Sequence, residues 1–174
     1  MTWLICLGGG IASGKTTLAE ALQMVFPGSA RLAFGDVVRR RVLTAKREPT
    51  RQNLQDAGLQ LIAEGWSLFV DDLLSDLASD PEVLIVEGIR HQEAVDALTG
   101  RLPTRKLLLI YVEVGSEQRR QRLACLGENE SVIGHDVERD VGGLRATSDL
   151  VVSTEQPVEK LVDQVCQIVE CQVC

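Results

Sequence analysis

The chain has 174 residues, of which 45% are hydrophobic and 25% charged, so it can bury one core but is short for two ordinary domains. Its net charge of −7 disfavours a broad nucleic-acid-binding surface. No apolar run approaches the roughly 20 residues that span a bilayer, and no secretory signal precedes the first strand. We therefore expect one cytoplasmic domain over residues 1–174, with neither a membrane nor a nucleic-acid polymer as partner.

The first predicted elements are a strand over residues 3–7 and a helix over residues 17–24, joined by a glycine-rich loop. The loop sequence GGIASGKT fits the Walker A pattern of glycine, four residues, glycine, lysine and serine or threonine. Glycines let backbone N–H groups close around phosphate oxygens, and the helix adds the positive end of its dipole. The expected nucleotide-binding residues are Gly9, Gly10, Ile11, Ala12, Ser13, Gly14, Lys15, Thr16 and Thr17.

Two side chains of this loop have predicted roles in binding Mg·ATP. Lys15 is expected to reach the β and γ phosphates, and Thr16 is expected to offer its hydroxyl to Mg²⁺, which prefers oxygen ligands. The alternative is a glycine-rich turn without a ligand. It is disfavoured because strand, loop and helix follow in the order that the motif requires.

The rest of the chain alternates strand and helix. The predicted strands are a weak one at 30–34 and clearer ones at 83–86, 107–112 and 150–152, and a helix with apolar residues every three or four positions follows Pro157. Such alternation predicts an α/β fold, a parallel five-stranded sheet with helices on both faces. Residues 44–51 and 127–143 have less regular patterns.

A first polar cluster follows the weak strand. Gly35 and Asp36 come directly after it, and Arg39 lies about one helical turn further on. These residues could bind a phosphoryl acceptor. Alternatively, Asp36 could cap the helix, and the run from Arg39 to Arg41 could be a solvated basic face.

A second cluster follows the strand at 83–86, where Glu87, Gly88 and Arg90 come within four residues. Ligands bind at the carboxyl ends of strands in a parallel α/β sheet. Glu87 could therefore organise Mg²⁺ or its waters, and Arg90 could hold a phosphate with its forked donors.

A third cluster is rich in arginine. It comprises Arg119, Arg120, Arg122, Arg139 and Arg145. For each one, a solvated surface position is about as good an interpretation as a phosphate contact.

The five cysteines do not suggest a disulfide framework, because they are spread along the chain. Three of them, Cys166, Cys171 and Cys174, are close in sequence and could bind a soft metal. Neither histidine is near them to complete a closed zinc site, so packing or exposure is the favoured interpretation.

Together these motifs resemble the nucleoside monophosphate kinase-like branch of the P-loop kinases, which includes adenylate kinases, phage-type deoxynucleotide kinases and dephospho-CoA kinases. The segment from Gly35 to Arg39 is similar to the family's Gly-Asp-x-x-Arg, whose arginine holds the acceptor phosphate. The segment from Glu87 to Arg90 resembles Asp-Gly-x-Pro-Arg with Glu for Asp and one residue fewer. Arg122 matches an arginine near the donor base.

The resemblance implies a helical acceptor-binding insertion at about 36–80 and a short lid at about 127–143. Arg139 and Arg145 would close over the transferring group, and Gln55 could meet a base edge. Phe34 and Trp66 could flank the acceptor base or be buried.

The implied activity is transfer of the γ-phosphoryl group of Mg·ATP to a nucleoside or deoxynucleoside monophosphate. The catalytic residues would be Lys15, Arg39, Arg90, Arg139 and Arg145. One alternative is a dephospho-CoA kinase, with Asp36 as the base for a hydroxyl acceptor. The other is a nucleotide-binding switch or slow ATPase that acts on a protein partner. Arg39 and Arg90 favour a kinase with a small nucleotide-like acceptor, whether the protein is a monomer or a homodimer.

Overall fold

The computed structural model describes residues 2–125, 127 and 143–170. These residues form a sheet of five parallel strands in the order β2-β3-β1-β4-β5. The strands are β1 (Trp3–Gly8), β2 (Ala30–Ala33), β3 (Val83–Ile89), β4 (Lys106–Glu113) and β5 (Leu150–Ser153). The predicted five-stranded parallel sheet is confirmed.

Helices cover both faces of the sheet. They are α1 (Lys15–Val25), α2 (Phe34–Thr44), α3 (Arg51–Glu64), α4 (Trp66–Leu74), α5 (Gln92–Arg101), α6 (Ser116–Cys125) and, at the end of the described chain, α7 (Val158–Glu170). Residues 143–147 form one further helical turn. Among the described helices, none is long and apolar enough to cross a membrane.

The central strand β1 divides the core into two clusters because its side chains alternate between the faces of the sheet. Leu4 and Cys6 pack with residues of α2, α4 and α5. Trp3, Ile5 and Leu7 pack with residues of α1 and α7. The phosphate-binding loop leaves the sheet between these two layers, at the carboxyl end of its central strand.

The strand β3 is longer than the sequence predicted. It continues to Ile89, so that Glu87 lies inside the strand rather than after it. The pairing of β1 with β3 shifts register between Leu7 and Gly8, and Gly88 has a φ of +85°. A β-bulge therefore lies beside Glu87 and interrupts the regular pairing.

The predicted acceptor and lid regions are described to different extents. Helices α2, α3 and α4 lie in or overlap the range 36–80, and the irregular segment before Arg51 is a loop that ends at the Thr50 cap of α3. Within the predicted lid, residues 128–142 lie outside the described residues, and Arg139 with them. The division into insertion and lid stays a prediction.

Candidate functional site

At each end of the loop between β1 and α1, the backbone conformation and the close neighbours allow only glycine. Gly9 has a φ of +138°, and a Cβ there would lie 2.2 Å from the carbonyl oxygen of Val112. Gly14 precedes α1 with a φ of +93°, and a Cβ there would lie 3.0 Å from Cγ2 of Thr154. The two invariant glycines of the motif are therefore required by conformation and by close neighbours.

Lys15 folds back over this loop. Its Nζ donates to the carbonyl oxygen of Gly10 at 2.5 Å and to Oγ of Ser13 at 3.2 Å. The pKa of Lys15 is lowered from 10.5 to about 8, mainly by burial and then by the charges of Arg90 and Arg119, while Glu87 opposes the change. Arg90 and Arg119 thus bring positive charge close to Lys15 that the carboxylate of Glu87 does not compensate.

Thr16 and Glu87 form an oxygen-rich pair beside the loop. The Thr16 hydroxyl donates to Oε2 of Glu87 at 2.7 Å, and Arg31 pairs with Oε1 of the same carboxylate at 3.2 Å. Only 6% of Glu87 is exposed. Because the hydroxyl gives its proton to Glu87, its lone pairs stay available to a cation. The oxygen atoms of Thr16 and Glu87 fit Mg²⁺, which prefers oxygen ligands.

On the other side of the loop, Arg122 joins it to the segment after β5. Its Nη1 donates to the carbonyl oxygen of Ala12 at 3.1 Å and to Oγ1 of Thr154 at 2.9 Å. Its Nη2 donates to the carbonyl oxygen of Thr154 at 3.2 Å. Arg122 is thus held against the nucleotide-binding loop by residues distant in sequence.

A cavity of about 1000 Å³ lies against this side of the loop. The loop and the first turn of α1 form one wall, and α6 with the segment between β5 and α7 forms the other. Its polar lining residues outside the loop and α1 include Gln118, Gln121, Arg122, Thr154 and Gln156. The volume suits a ligand of nucleotide size.

Arg90 extends the positive charge from the loop towards α3. Burial lowers the pKa of Arg90, and the nearby charge of Arg51 lowers it further. Since Arg90 also acts on Lys15, a chain of cations runs from the phosphate-binding loop to the start of α3. Such a chain is suited to a second anionic group beyond the one that the loop holds.

Comparison with known families matches residues 5–141 to the AAA_18 model, described as an AAA domain. The chain belongs to this AAA domain family. A curated UPF0200 protein of Thermococcus sibiricus is 24% identical over 131 residues, which cover 73% of this chain and 68% of that protein.

Solved structures share the fold of this AAA domain. The tunicamycin resistance protein of Deinococcus radiodurans matches with a TM-score of 0.66 and 19% identity over 97% of this chain and 96% of that chain. Shikimate kinase of Bacteroides thetaiotaomicron matches with a TM-score of 0.61 and 15% identity over 97% and 98%. The α/β fold that the resemblance to P-loop kinases implies is confirmed.

The three consecutive arginines of α2 differ in their surroundings. Arg40 pairs with Asp72 and Asp76, and Arg41 pairs with Glu64. Arg39 is exposed and forms no ion pair within the described part of the AAA domain. The charge run is thus partly a salt-bridged surface, as the simpler interpretation held, and among the described residues Arg39 is not part of it.

Other predicted acceptor residues lie on the same helices. Gly35 and Asp36 are exposed in the first turn of α2, and Gln55 is exposed on α3. The capping alternative for Asp36 is wrong: Ala33 is the N-cap of α2, and no side chain caps it. Arg145 is exposed and pairs with Glu113 at 2.8 Å.

The two candidate aromatic residues differ. Phe34 is buried edge-to-face against Phe69, with ring centroids 4.9 Å apart. Trp66 is half-buried, stacks on Phe69 at 5.8 Å and contacts the ring of His91 at 5.2 Å. Burial, the simpler alternative for these residues, is confirmed for Phe34.

The cysteines do not converge in the described chain. Cys6 is buried in β1, where burial and Asp149 raise its pKa. Cys125 is exposed and Cys166 half-buried, whereas Cys171 and Cys174 lie outside the described residues. No group of three potential metal ligands among His, Cys, Asp and Glu occurs in the ranges that the structure describes.

The residues predicted for the site left out Arg31, Arg51 and Thr154, which lie near Glu87, Arg90 and the loop respectively, and Arg119 was predicted only as one of a cluster of arginines. Arg119 had a sequence signal, because it lies one helical turn before Arg122; its guanidinium is 3.4 Å from where a Cβ on Gly10 would be. The other three had no motif, because their proximity depends on which strands and helices are neighbours.

Proposed function

We propose that this AAA domain transfers the γ-phosphoryl group of Mg·ATP to a nucleoside or deoxynucleoside monophosphate. The observation that carries the proposal is Arg90, a partly buried cation directly after β3 that is near enough to both Lys15 and Arg51 for their charges to interact. A protein that only binds or hydrolyses ATP needs no second cationic pocket next to the phosphate-binding loop. A kinase needs one for its acceptor phosphate.

The donor machinery follows from the loop. Residues 9–17 would surround the phosphates of ATP, and Lys15 would compensate their charge. Thr16 would bind Mg²⁺ directly, and Glu87 would hold the Thr16 hydroxyl and orient waters around the ion. The bound ion would supply positive charge that neutralises the phosphates of ATP. Arg122 would border the donor base in the cavity beside α6.

The acceptor machinery lies on the α2, α3 and β3 side. Arg39 and Arg90 would hold the acceptor phosphate, while Gly35, Asp36 and Gln55 would line the rest of its site. Two negatively charged phosphates repel each other, so cations on both sides are needed to bring donor and acceptor oxygens in line. No side-chain nucleophile is required for this reaction.

Arg139 and Arg145 would complete the site when the lid closes. The pair between Arg145 and Glu113 is exposed, and such surface pairs contribute little to stability. Arg145 could therefore exchange Glu113 for a phosphate at small cost. Closure would also exclude water and so limit hydrolysis of ATP.

The test is a steady-state assay of ADP formation with nucleoside monophosphates, deoxynucleoside monophosphates and dephospho-CoA. We expect one monophosphate to stimulate the wild type and Lys15→Ala to abolish the reaction. Arg39→Ala should raise KM for the acceptor at least about tenfold, the effect of losing one charge-assisted contact, with KM for ATP unchanged.

Arg40→Ala is the matched control for Arg39→Ala, because Arg40 is the next arginine of α2 but pairs with Asp72 and Asp76. It should leave both KM values near those of the wild type. Stimulation by dephospho-CoA alone, or an equal effect of the two arginine variants, would contradict the proposed acceptor site.

A further inference from the structure

The hydroxyl of Thr154 lies between the nucleotide-binding loop and Arg122 of α6. Its Oγ1 donates to the carbonyl oxygen of Ser13 at 2.8 Å and accepts from Arg122 at 2.9 Å. A longer contact of 3.4 Å, to the carbonyl oxygen of Glu113, involves the same hydroxyl. Because the carbonyl oxygen of Ser13 is closer than that of Glu113, it is the better acceptor for the Thr154 hydroxyl proton.

Arg122 adds a second hold on the same stretch of loop, because it also donates to the carbonyl oxygen of Ala12 at 3.1 Å. Two consecutive loop carbonyls, those of Ala12 and Ser13, are thus bound from the same side. Ala12 has a φ of +59°, a left-handed conformation that costs a residue with a Cβ about 1–2 kcal/mol. These hydrogen bonds offset that cost.

Peptide planarity links these carbonyls to the ligand side of the loop. In a trans peptide the C=O and the following N–H point in opposite directions. When the carbonyls of Ala12 and Ser13 face Thr154 and Arg122, the N–H groups of Ser13 and Gly14 face away from them. Two adjacent N–H groups with the same direction form a concave site for an anion.

We propose that Thr154 is a positioning residue: through its hydroxyl it fixes the Ala12–Ser13–Gly14 peptides so that their N–H groups receive a phosphate. The inference rests on the proposed function, since it concerns the same phosphate-binding loop. It adds a residue without a motif, located after β5, to the binding of the donor phosphates.

The experiment measures equilibrium affinities for two probes, a fluorescent ADP analogue and inorganic tripolyphosphate, the latter by displacement of the former. Tripolyphosphate has no base, so it reports on the loop alone. Thr154→Val removes the hydroxyl but keeps the shape of the side chain, and Thr154→Ser keeps the hydroxyl. Thr99→Val is the matched control, because within the described part of the chain the Thr99 hydroxyl donates to carbonyls of its own helix α5.

We expect Thr154→Val to weaken both probes by the same factor, about five- to tenfold, as for the loss of one hydrogen bond. Thr154→Ser and Thr99→Val should stay within about twofold of the wild type, less than one such bond. Melting temperatures, measured in parallel, separate this effect from a loss of stability.

Three results would overturn the inference alone while leaving the proposed function intact. They are unchanged affinities in Thr154→Val, a loss for the ADP analogue without a loss for tripolyphosphate, and a tenfold loss in Thr154→Ser. The last would assign the effect to the Thr154 methyl group. If the wild type binds neither probe, the proposed function fails and the inference fails with it.

Discussion

The positive charge of Lys15 should destabilise the ligand-free protein. The pKa of Lys15 is lowered from 10.5 to about 8, first by burial and then by repulsion from Arg90 and Arg119. A lysine with a lower pKa in the folded state binds its proton more weakly there than in the unfolded chain. The protonated form therefore costs stability below pH 8, and the cost disappears as the pH rises from about 8 to 10.5.

The size of the effect follows from the same values. The interval between 10.5 and about 8, at 1.36 kcal/mol per pH unit, gives an upper bound of about 3.4 kcal/mol. Lys15→Met removes the charge but also two hydrogen bonds, to Gly10 and Ser13, which contribute about 1 kcal/mol each. We therefore expect Lys15→Met to raise the free energy of unfolding at pH 7 by about 1–2 kcal/mol.

The assay is urea unfolding of the ligand-free wild type and Lys15→Met at a series of pH values from 7 to 10.5. The difference between the two proteins cancels the titration of other groups. At pH 7 the free energy of unfolding of Lys15→Met should exceed that of the wild type. This difference should then decrease by up to about 3 kcal/mol with rising pH, as Lys15 of the wild type loses its proton.

Lys160→Met, on the exposed surface of α7, is the control and should show a small difference that does not vary with pH. A Lys15→Met variant that is less stable than the wild type at pH 7 would refute the reasoning. So would a difference that stays constant between pH 8 and 10.5.

Two further substitutions, Gly9→Ala and Arg31→Met, test the loop and its surroundings, with Gly100→Ala as a control for the first. Gly9→Ala should abolish binding of ATP in a titration and lower the unfolding free energy by more than about 2 kcal/mol, because its Cβ would lie 2.2 Å from a carbonyl oxygen. Gly100→Ala in α5, where a Cβ meets no atom within 4 Å, should instead stabilise by about 0.5–1 kcal/mol; equal effects would refute the strain argument. Arg31→Met removes the ion-pair partner of the buried carboxylate of Glu87 and should cost about 1–3 kcal/mol in urea unfolding; unchanged stability would show that the pair contributes nothing.

Local motifs made part of the site predictable. The loop from Gly9 to Thr16 is continuous in sequence, and its glycines meet a conformational requirement that the structure shows directly. The strands were predictable because runs of apolar residues alternate with helical patterns. The exact end of β3 was not, because the bulge at Gly88 depends on its pairing with β1.

Contacts between distant parts of the chain were not predictable from one sequence. The hydrogen bond from Thr16 to Glu87 spans 71 residues, and that from Thr154 to Ser13 spans 141. Both exist because β1 lies between β3 and β4, with β5 beyond, in the sheet. Similarly, the sequence could not distinguish Arg39 from Arg40, because the acidic partners of Arg40 lie on and just after α4.

The most direct test of the proposed phosphotransferase is the fate of the γ-phosphoryl group. Purified protein is incubated with Mg²⁺, γ-labelled ATP and each nucleoside and deoxynucleoside monophosphate, and the labelled products are separated and identified by mass. We predict label in the diphosphate of one acceptor, and none there with Lys15→Ala. Label found only in inorganic phosphate, with every acceptor, would contradict the proposal and indicate an ATPase or a switch.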